Sequence, residues 1–235
     1  MTHETMAQVL NAAFLKIRDL NAPVNDRLAM YADEVHLHFV AYTEAFEQLV
    51  ARLNKAGAGA SAPNVGDPMP SFLLPDERGN LVGLYDLLAS GPVAVTFLRG
   101  HWCPYCRIYA HSLAQAQERV DAIGGKIVAI APERQQYNLK QKTEARAGFK
   151  ILSDVGNGYA LSLNLAIWLG AEMQKLLTDF GRDLSAYQGT ASWFVPIPAT
   201  FIVAQDGIIK ARFVDPDYSR RMDVDDMVAA LKAAH

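Results

Sequence analysis

The sequence of 235 residues is poor in cysteine, has no excess of positive charge and contains no long apolar run. With only two cysteines, Cys103 and Cys106, it cannot form the disulfide frameworks of small secreted domains. A formal net charge of -3 gives no basis for binding a polyanion such as nucleic acid. No segment reaches the roughly 18 apolar residues of a membrane span, and MTHETMAQVL lacks the features of a secretory signal. These absences predict a cytoplasmic protein that binds neither nucleic acid nor membrane.

A helical arm is predicted ahead of the cysteine-containing region. Apolar side chains recur from Leu28 to Leu53 at alternating steps of four and three, which predicts one continuous amphipathic helix. The run AGAGASAPNVGDP that follows has no periodic apolar face and is typical of a linker. We therefore predict an arm over residues 1–55, a linker over 56–64 and a main domain over 65–235. The apolar face of the arm can be covered by its own domain or by a second copy in a homodimer.

Strand and helix patterns alternate in the main domain. The apolar runs VAVTFL, KIVAIAP and FKILS predict buried strands separated by helices, the first of which runs from about Pro104 to Ala122. Near the C-terminus, ATFIVAQDGIIKARFV predicts a hairpin, because Asp206 and Gly207 form a favoured turn pair. The sequence therefore predicts an α/β fold in which helices flank a central mixed β-sheet.

The two cysteines lie where the first predicted strand gives way to a helix, in the segment HWCPYC. A thiolate at a helix N-terminus faces free backbone N–H groups and the positive end of the helix dipole, and both lower its pKa. This position predicts that Cys103 is the nucleophile and has the lower pKa. One turn further on, Cys106 can attack an oxidised Cys103 and close a disulfide, so we predict that it is the resolving thiol.

Other roles for the pair are less consistent with its spacing. A structural disulfide across two residues closes so short a loop that it removes little entropy from the unfolded chain. A zinc site would need His101 and His111 in addition to the two cysteines, but zinc ligands usually come from two separated elements. The sequence therefore favours redox chemistry without a metal.

Side chains around the pair are expected to tune and shape the site. Arg99 can stabilise the thiolate, whereas His101 is expected to be a bystander. Pro198 precedes an apolar strand, where proline is unusual unless it makes a tight or cis feature, so we predict a cis peptide bond there. The substrate groove is predicted to contain Trp102, Pro104, Tyr105 and Pro198.

Several segments resemble the alkyl hydroperoxide reductase and thiol-specific antioxidant family (AhpC/TSA), especially its peroxiredoxin-like branch within the thioredoxin-fold superfamily. The resemblance runs from about Gly66 to the C-terminus, through GDPMPSFLLPDERGNLVGL, VTFLRGHWCPYC, IPATFIVAQDGII and FVDPDYSRR. It implies a thioredoxin-like fold with an N-terminal helical extension. It also implies that Cys103 attacks peroxide and that Pro198 is the cis-proline of thioredoxin-like proteins.

The sequence departs from the peroxiredoxin pattern at two places. Peroxiredoxins usually have Thr or Ser three residues before the attacking cysteine and Pro seven before it, whereas this chain has Gly100 and Thr96. The hydroxyl that helps orient peroxide is therefore missing. Pro198 aligns with the active-site arginine of those enzymes, which leaves Arg99 or the pair Arg220 and Arg221 as substitutes.

These features predict a thiol-dependent oxidoreductase that reduces hydrogen peroxide or organic hydroperoxides. It would use a thiol reductant such as thioredoxin or glutathione, and no cofactor. The CPYC spacing resembles glutaredoxin and the WC pair resembles thioredoxin, so protein disulfide exchange is the alternative. A third alternative is a non-catalytic redox sensor or interaction module, in which disulfide formation moves the arm.

Overall fold

Helices and short strands alternate along most of the chain. The computed structural model describes the backbone from His3 to His235 and the side chains from Gln8 onward. The helices are α1 (His3–Arg18), α2 (Val24–His38), α3 (Val40–Lys55), α4 (Leu84–Leu88), α5 (Pro104–Gln115), α6 (Gln117–Ala122), α7 (Gln135–Ala145), α8 (Gly158–Ser162), α9 (Ala171–Asp179), α10 (Leu184–Gln188) and α11 (Val224–Ala233). The strands are β1 (Leu73–Pro75), β2 (Leu81–Gly83), β3 (Val93–Phe97), β4 (Lys126–Ala131), β5 (Lys150–Ser153), β6 (Ala166–Trp168), β7 (Phe194–Pro196), β8 (Ala199–Val203) and β9 (Ile209–Val214).

A five-stranded sheet in the order β5-β4-β3-β8-β9 forms the centre of the molecule. Strands β3, β4 and β5 are parallel, whereas β8 is antiparallel to both β3 and β9. The β8–β9 hairpin turns at Asp206 and Gly207, and the φ of 83° at Gly207 is one that glycine readily adopts. The predicted mixed sheet flanked by helices is therefore confirmed.

The sheet has an apolar layer on each face. Alternate residues of β3 point to opposite faces, so Val95 and Phe97 lie in one layer while Ala94 lies in the other. The layer that contains Ala94 also holds both cysteines and the buried side chains of α1 to α3. The arm and the thiol pair thus share one apolar core.

The arm contains a break that the heptad spacing did not predict. The single helix expected from Leu28 to Leu53 is instead α2 and α3, separated by Phe39 with φ -140° and ψ 61°. The Phe39 ring packs edge-on against Phe180, with the ring centroids 4.6 Å apart. Because of the break, α2 packs on α5 while α3 packs on α9, so both halves of the apolar face lie against the same chain. A homodimer through the arm stays a prediction.

The segment that joins the arm to the main domain makes specific contacts. A guanidinium nitrogen of Arg212 in β9 donates to the carbonyls of Ala62 and Pro63, at 2.9 and 3.0 Å. Ala62 is buried, and the Asn164 amide donates to the Ser61 carbonyl at 3.1 Å. The segment is thus held against the main domain by hydrogen bonds, and the division at residues 56–64 stays a prediction. Over residues 3–235, no helix is long and apolar enough to cross a membrane.

Candidate functional site

The thiol pair lies at the point where the central strand gives way to α5. Cys103 is the N-cap residue of α5 and Cys106 lies in its first turn, with Pro104 at the position where a helix tolerates proline. Both cysteines are reduced and buried, Cys103 with 1% of its surface exposed and Cys106 with none. The predicted helix after the motif is also broken, by Ala116 between α5 and α6.

The hydrogen bonds favour negative charge on Cys106 rather than on Cys103. The Cys106 Sγ accepts the backbone N–H of Arg99 at 3.2 Å and lies 3.4 Å from the Arg221 Nη2, which donates to it. Cys103, although at the N-cap, makes no side-chain capping bond. Our expectation that the helix N-terminus would favour the Cys103 thiolate was therefore wrong, because the backbone donor and the guanidinium reach the other sulfur.

The pKa values of the two thiols move in opposite directions. Burial, followed by the hydrogen bond to Cys106, raises the pKa of Cys103 well above its ordinary value. Burial would also raise the pKa of Cys106, but the hydrogen bond from Cys103 and the charges of Arg221 and Arg99 outweigh it. The pKa of Cys106 falls to about 5. Within the pair, the hydrogen bonds and charges therefore favour the proton on Cys103 and the negative charge on Cys106.

Arg99 supplies an unusual buried positive charge. Its residue surface is 2% exposed, and its side-chain nitrogens have no hydrogen-bond partner within the described chain. The guanidinium carbon lies 3.9 Å from the centroid of the Tyr218 ring and 4.8 Å from that of Trp102. Aromatic faces attract a cation but do not neutralise it. A nearby anion is needed to offset the desolvation of this charge, and a thiolate in the pair provides one.

The C-terminal arginines divide into one that faces the thiols and one that does not. Arg221 is buried, and its Nη1 donates to the carbonyls of Tyr218 and Arg220, which fixes the guanidinium beside Cys106. Arg220 is largely exposed and pairs with Asp215 at 3.2 Å. Of the three arginines considered as substitutes, Arg99 and Arg221 lie at the thiol pair.

A buried glutamate explains why glycine stands three residues before Cys103. Gly100 has φ 130°, and a Cβ placed there would come within 2.5 Å of the Glu133 carboxyl group. Glu133 follows β4, is fully buried and accepts the backbone N–H of His101 at 2.8 Å. Burial raises the pKa of Glu133 to about 8, so it is mostly protonated at neutral pH. No prediction was made for this residue, although Glu133 follows the end of β4 by two residues and β4 is parallel to β3, so both strands end at the same edge of the sheet.

A cavity of about 200 Å³ opens above Cys103 and does not include Cys106. Its walls contain three predicted groove residues, Trp102, Pro104 and Tyr105. The rest of the wall comes from the arm, from Arg107 on α5 and from the α9 region: Leu10, Asn11, Phe14, Tyr31, Val35, Phe39, Tyr42, Arg107, Leu177, Asp179, Phe180 and Arg182. The site is thus a small, mostly apolar chamber roofed by the helical arm.

Pro198 does not have its predicted role. No cis peptide bond occurs in the described residues, so the expected cis bond at Pro198 was wrong. Pro198 joins β7 to β8, and its carbonyl accepts the Asp215 N–H at 3.3 Å. It does not line the cavity, because the arm rather than this loop covers Cys103.

The histidines point away from the thiols. The His101 Nε2 lies 2.9 Å from Glu144, and the His111 Nε2 lies 3.5 Å from Asp19. In the part of the chain that the structure describes, no three His, Cys, Asp or Glu side chains are grouped so as to hold a metal ion. The zinc alternative therefore has no structural support.

The fold and the paired thiols define a thiol-dependent oxidoreductase with a thioredoxin-like fold. Residues 65–212 match the AhpC/TSA family, and the chain belongs to that family. The peroxidoxin BcpB of Mycobacterium tuberculosis is 20% identical, with a TM-score of 0.56 over 73% of this chain and 97% of that chain. AhpC of the same organism is 13% identical, with a TM-score of 0.55 over 73% and 93% of the two chains.

Another relative is named for disulfide interchange rather than for peroxide reduction. The thiol:disulfide interchange protein DsbE of Pseudomonas aeruginosa is 25% identical over 150 residues. The match covers 64% of this chain and 66% of that protein, so the two correspond over part of their length. Family membership and fold agree with the sequence-based expectation, whereas the choice between peroxide and disulfide depends on the site.

Proposed function

We propose that the protein is a peroxiredoxin-like thiol peroxidase that reduces hydrogen peroxide or organic hydroperoxides, with Cys103 attacking and Cys106 resolving. The observation that carries the proposal is the pair of buried guanidinium groups, from Arg99 and Arg221, beside two thiols below a small cavity. These charges favour one thiolate in the pair. The cavity volume suits a small oxidant better than a polypeptide.

Cys103 is the attacking thiol because it lines the cavity, whereas Cys106 lies behind it. Cys103 must first lose its proton, and the hydrogen-bonded Cys106 thiolate is placed to accept it. The Cys103 sulfur then attacks the distal peroxide oxygen, so the S–O bond forms as the O–O bond breaks. Cys103 becomes a sulfenic acid, and the departing hydroxide or alkoxide takes a proton from water.

Cys106 completes the oxidation from one helical turn away. Its sulfur attacks the Cys103 sulfenic acid, the S–S bond forms, and the hydroxyl leaves as water with the Cys106 proton. A thiol reductant, such as thioredoxin or glutathione, then supplies two electrons and two protons by thiol–disulfide exchange. The cycle needs no metal and no other cofactor. We place it in the cytoplasm, where a reducing environment keeps such a pair as thiols.

Protein disulfide exchange is the second candidate. The CPYC spacing and the similarity to a thiol:disulfide interchange protein support it. Against it, Cys103 is 1% exposed and the arm lies over it, so a disulfide in a folded partner reaches the sulfur only if the arm moves. A small peroxide needs no such movement.

Rapid mixing of the reduced protein with three oxidants separates the candidates. The oxidants are hydrogen peroxide, an organic hydroperoxide and a protein disulfide, and thiols are counted after each reaction. We expect both peroxides to consume both thiols faster than the protein disulfide does. Faster reaction with the protein disulfide would reverse the ranking, and reversible oxidation without turnover would favour a redox sensor.

A further inference from the structure

Because Gly100 stands three residues before Cys103, no hydroxyl at that position can stabilise the oxygen that departs from the peroxide. When the O–O bond breaks, negative charge develops on the departing oxygen, and a positioned donor can stabilise that charge. Gly100 has no hydroxyl, and its backbone packs against Glu133, where no side chain fits. A donor must therefore come from the residues that line the cavity over Cys103.

Tyr42 on α3 is placed to be that donor. Its side chain lines the same cavity as Cys103. The Tyr42 hydroxyl accepts a hydrogen bond from the Tyr218 hydroxyl at 2.7 Å, so the proton in that bond belongs to Tyr218. Tyr42 keeps its own proton, which has no acceptor in the described part of the chain.

Tyr218 connects this hydroxyl to the charge at the site. It is buried, and the face of its ring lies 3.9 Å from the guanidinium carbon of Arg99. A hydroxyl that receives one hydrogen bond is polarised and becomes a better donor in the next. Burial acts first among the influences on Tyr42 and raises its pKa, which keeps it protonated at neutral pH.

The other tyrosines of the cavity lack this arrangement. Tyr31 and Tyr105 also line it, and their rings pack edge-on with centroids 5.3 Å apart. Neither hydroxyl makes a hydrogen bond to another described side chain, so neither is fixed in direction. Tyr42 thus combines access to Cys103 with a positioned proton.

We propose that Tyr42 is a catalytic residue, and that the arm completes the active site by donating this hydroxyl to the departing oxygen. The inference rests on the proposed peroxidase function. As the Cys103 sulfur takes the distal oxygen, the electron pair of the O–O bond passes to the proximal oxygen, which accepts the Tyr42 hydrogen bond. That oxygen obtains its final proton from water, and Tyr42 retains its own.

The main test compares oxidation with alkylation of Cys103. For Tyr42→Phe we expect the rate of sulfenic acid formation by an organic hydroperoxide to fall about 100-fold, the range for loss of one donor to a developing oxyanion. Alkylation by iodoacetamide releases iodide, which needs no such donor, so that rate should stay the same. Tyr85→Phe is the matched control, because Tyr85 is 64% exposed and lies outside the cavity.

The dependence on the leaving group distinguishes a catalytic role from a structural one. A peracid releases a carboxylate, which is weakly basic and needs less stabilisation than an alkoxide. We expect the defect of Tyr42→Phe to shrink about tenfold with a peracid, because less charge must be stabilised. Equal defects with both oxidants would overturn the proposal.

A second variant tests the same role if Tyr42→Phe folds poorly. Tyr218→Phe keeps the Tyr42 hydroxyl but removes the bond that orients it, so we expect a smaller loss of about tenfold, again reduced with a peracid. If the native protein reacts with peroxide and both variants react as fast, the role of Tyr42 is wrong. If the native protein reacts with no peroxide, the proposed function itself is wrong.

Discussion

Two clusters of buried charge differ in how they are compensated. Near β1, the Asp76 carboxylate lies 2.6 Å from the Lys150 ammonium and the Glu77 carboxylate lies 2.5 Å from that of Lys142. Both carboxylates are buried, and each has a cation beside it. At the thiol pair, the two buried guanidinium groups of Arg99 and Arg221 have no carboxylate partner among the described residues.

This difference separates stability from reactivity. Burial acts to raise the pKa of Asp76, but hydrogen bonds from Lys150 and from the backbone outweigh it and hold that pKa below its ordinary value. In this paired cluster, each buried carboxylate is neutralised by a neighbouring lysine, so the charges contribute to stability. The unpaired guanidiniums are compensated only when a thiol loses its proton, which is typical of a reactive site.

The largest expected effect comes from separating the two thiols. Cys103→Ser should abolish peroxide turnover, because no sulfur then lines the cavity, while Cys106 keeps its thiolate. Cys106→Ser should allow one oxidation, which stops at the Cys103 sulfenic acid. Mass spectrometry after one equivalent of peroxide measures both outcomes. An unmodified Cys103 in the Cys106→Ser protein would contradict the two-step scheme.

Thiolate titration of the same variants tests where the charge lies. Thiolate formation is followed by ultraviolet absorbance. In Cys103→Ser, the remaining Cys106 should titrate with a pKa below that of an ordinary thiol. In Cys106→Ser, Cys103 should titrate at a higher pH than this, because the Arg99 N–H and the Arg221 guanidinium do not reach its sulfur. If Cys103 instead had the lower pKa of the two, the negative charge of the reduced protein would lie on Cys103.

Removal of the unpaired cation should affect rate more than stability. For Arg99→Met we expect the peroxide reaction to slow about 100-fold, because thiolate formation loses a buried positive charge. Unfolding free energy should be unchanged or higher, since a well-packed apolar side chain can replace a buried charge without loss. Rapid mixing and urea denaturation measure the two effects. A large loss of unfolding free energy would show instead that Arg99 stabilises the fold, as the paired charges near β1 do.

The corresponding change in the paired cluster should have the opposite result. Lys142→Met leaves the buried Glu77 carboxylate without its cation, which should lower the unfolding free energy by about 3 kcal/mol. The peroxide rate of the folded protein should stay the same. A slower reaction in this variant would show that the two clusters are coupled.

The last expected effect concerns Glu133, and it appears only when the pH is changed. Its pKa is raised from the ordinary 4.5 to about 8, so the folded protein holds a proton that the unfolded chain loses. Glu133 should therefore reduce stability progressively as pH rises between these values, with no further change above the upper one. The unfolding free energy of Glu133→Gln should match that of the native protein in acid and exceed it by about 5 kcal/mol in mild alkali. Urea denaturation across pH tests this, with the exposed Glu47→Gln as control.

Local patterns predicted the fold and the position of the thiols. The apolar runs became β3, β4 and β5 because strand burial is encoded by consecutive residues, and HWCPYC lies at the expected strand-to-helix junction. The cap of α11 is equally local, because the Asp223 carboxylate accepts the Asp225 N–H at 2.8 Å. Each of these features depends on neighbours in sequence.

The rest of the site depends on contacts between distant residues. The donation from Arg221 to Cys106 joins positions that lie 115 apart, and Tyr42 meets Tyr218 across 176. No periodicity carries such information. The break at Phe39 was missed for the same reason, because it follows from packing against Phe180 and not from a glycine or proline in the helix.

The contact between Gly100 and Glu133 restricts how this sequence can change over time. Threonine at position 100 would restore the peroxiredoxin pattern, but its Cβ would overlap the glutamate carboxyl group, and φ 130° is strained for any side chain. Shortening residue 133 must therefore precede or accompany that substitution, together with a local backbone change. The two positions form an epistatic pair, and a library that varies either one alone does not reach the peroxiredoxin arrangement.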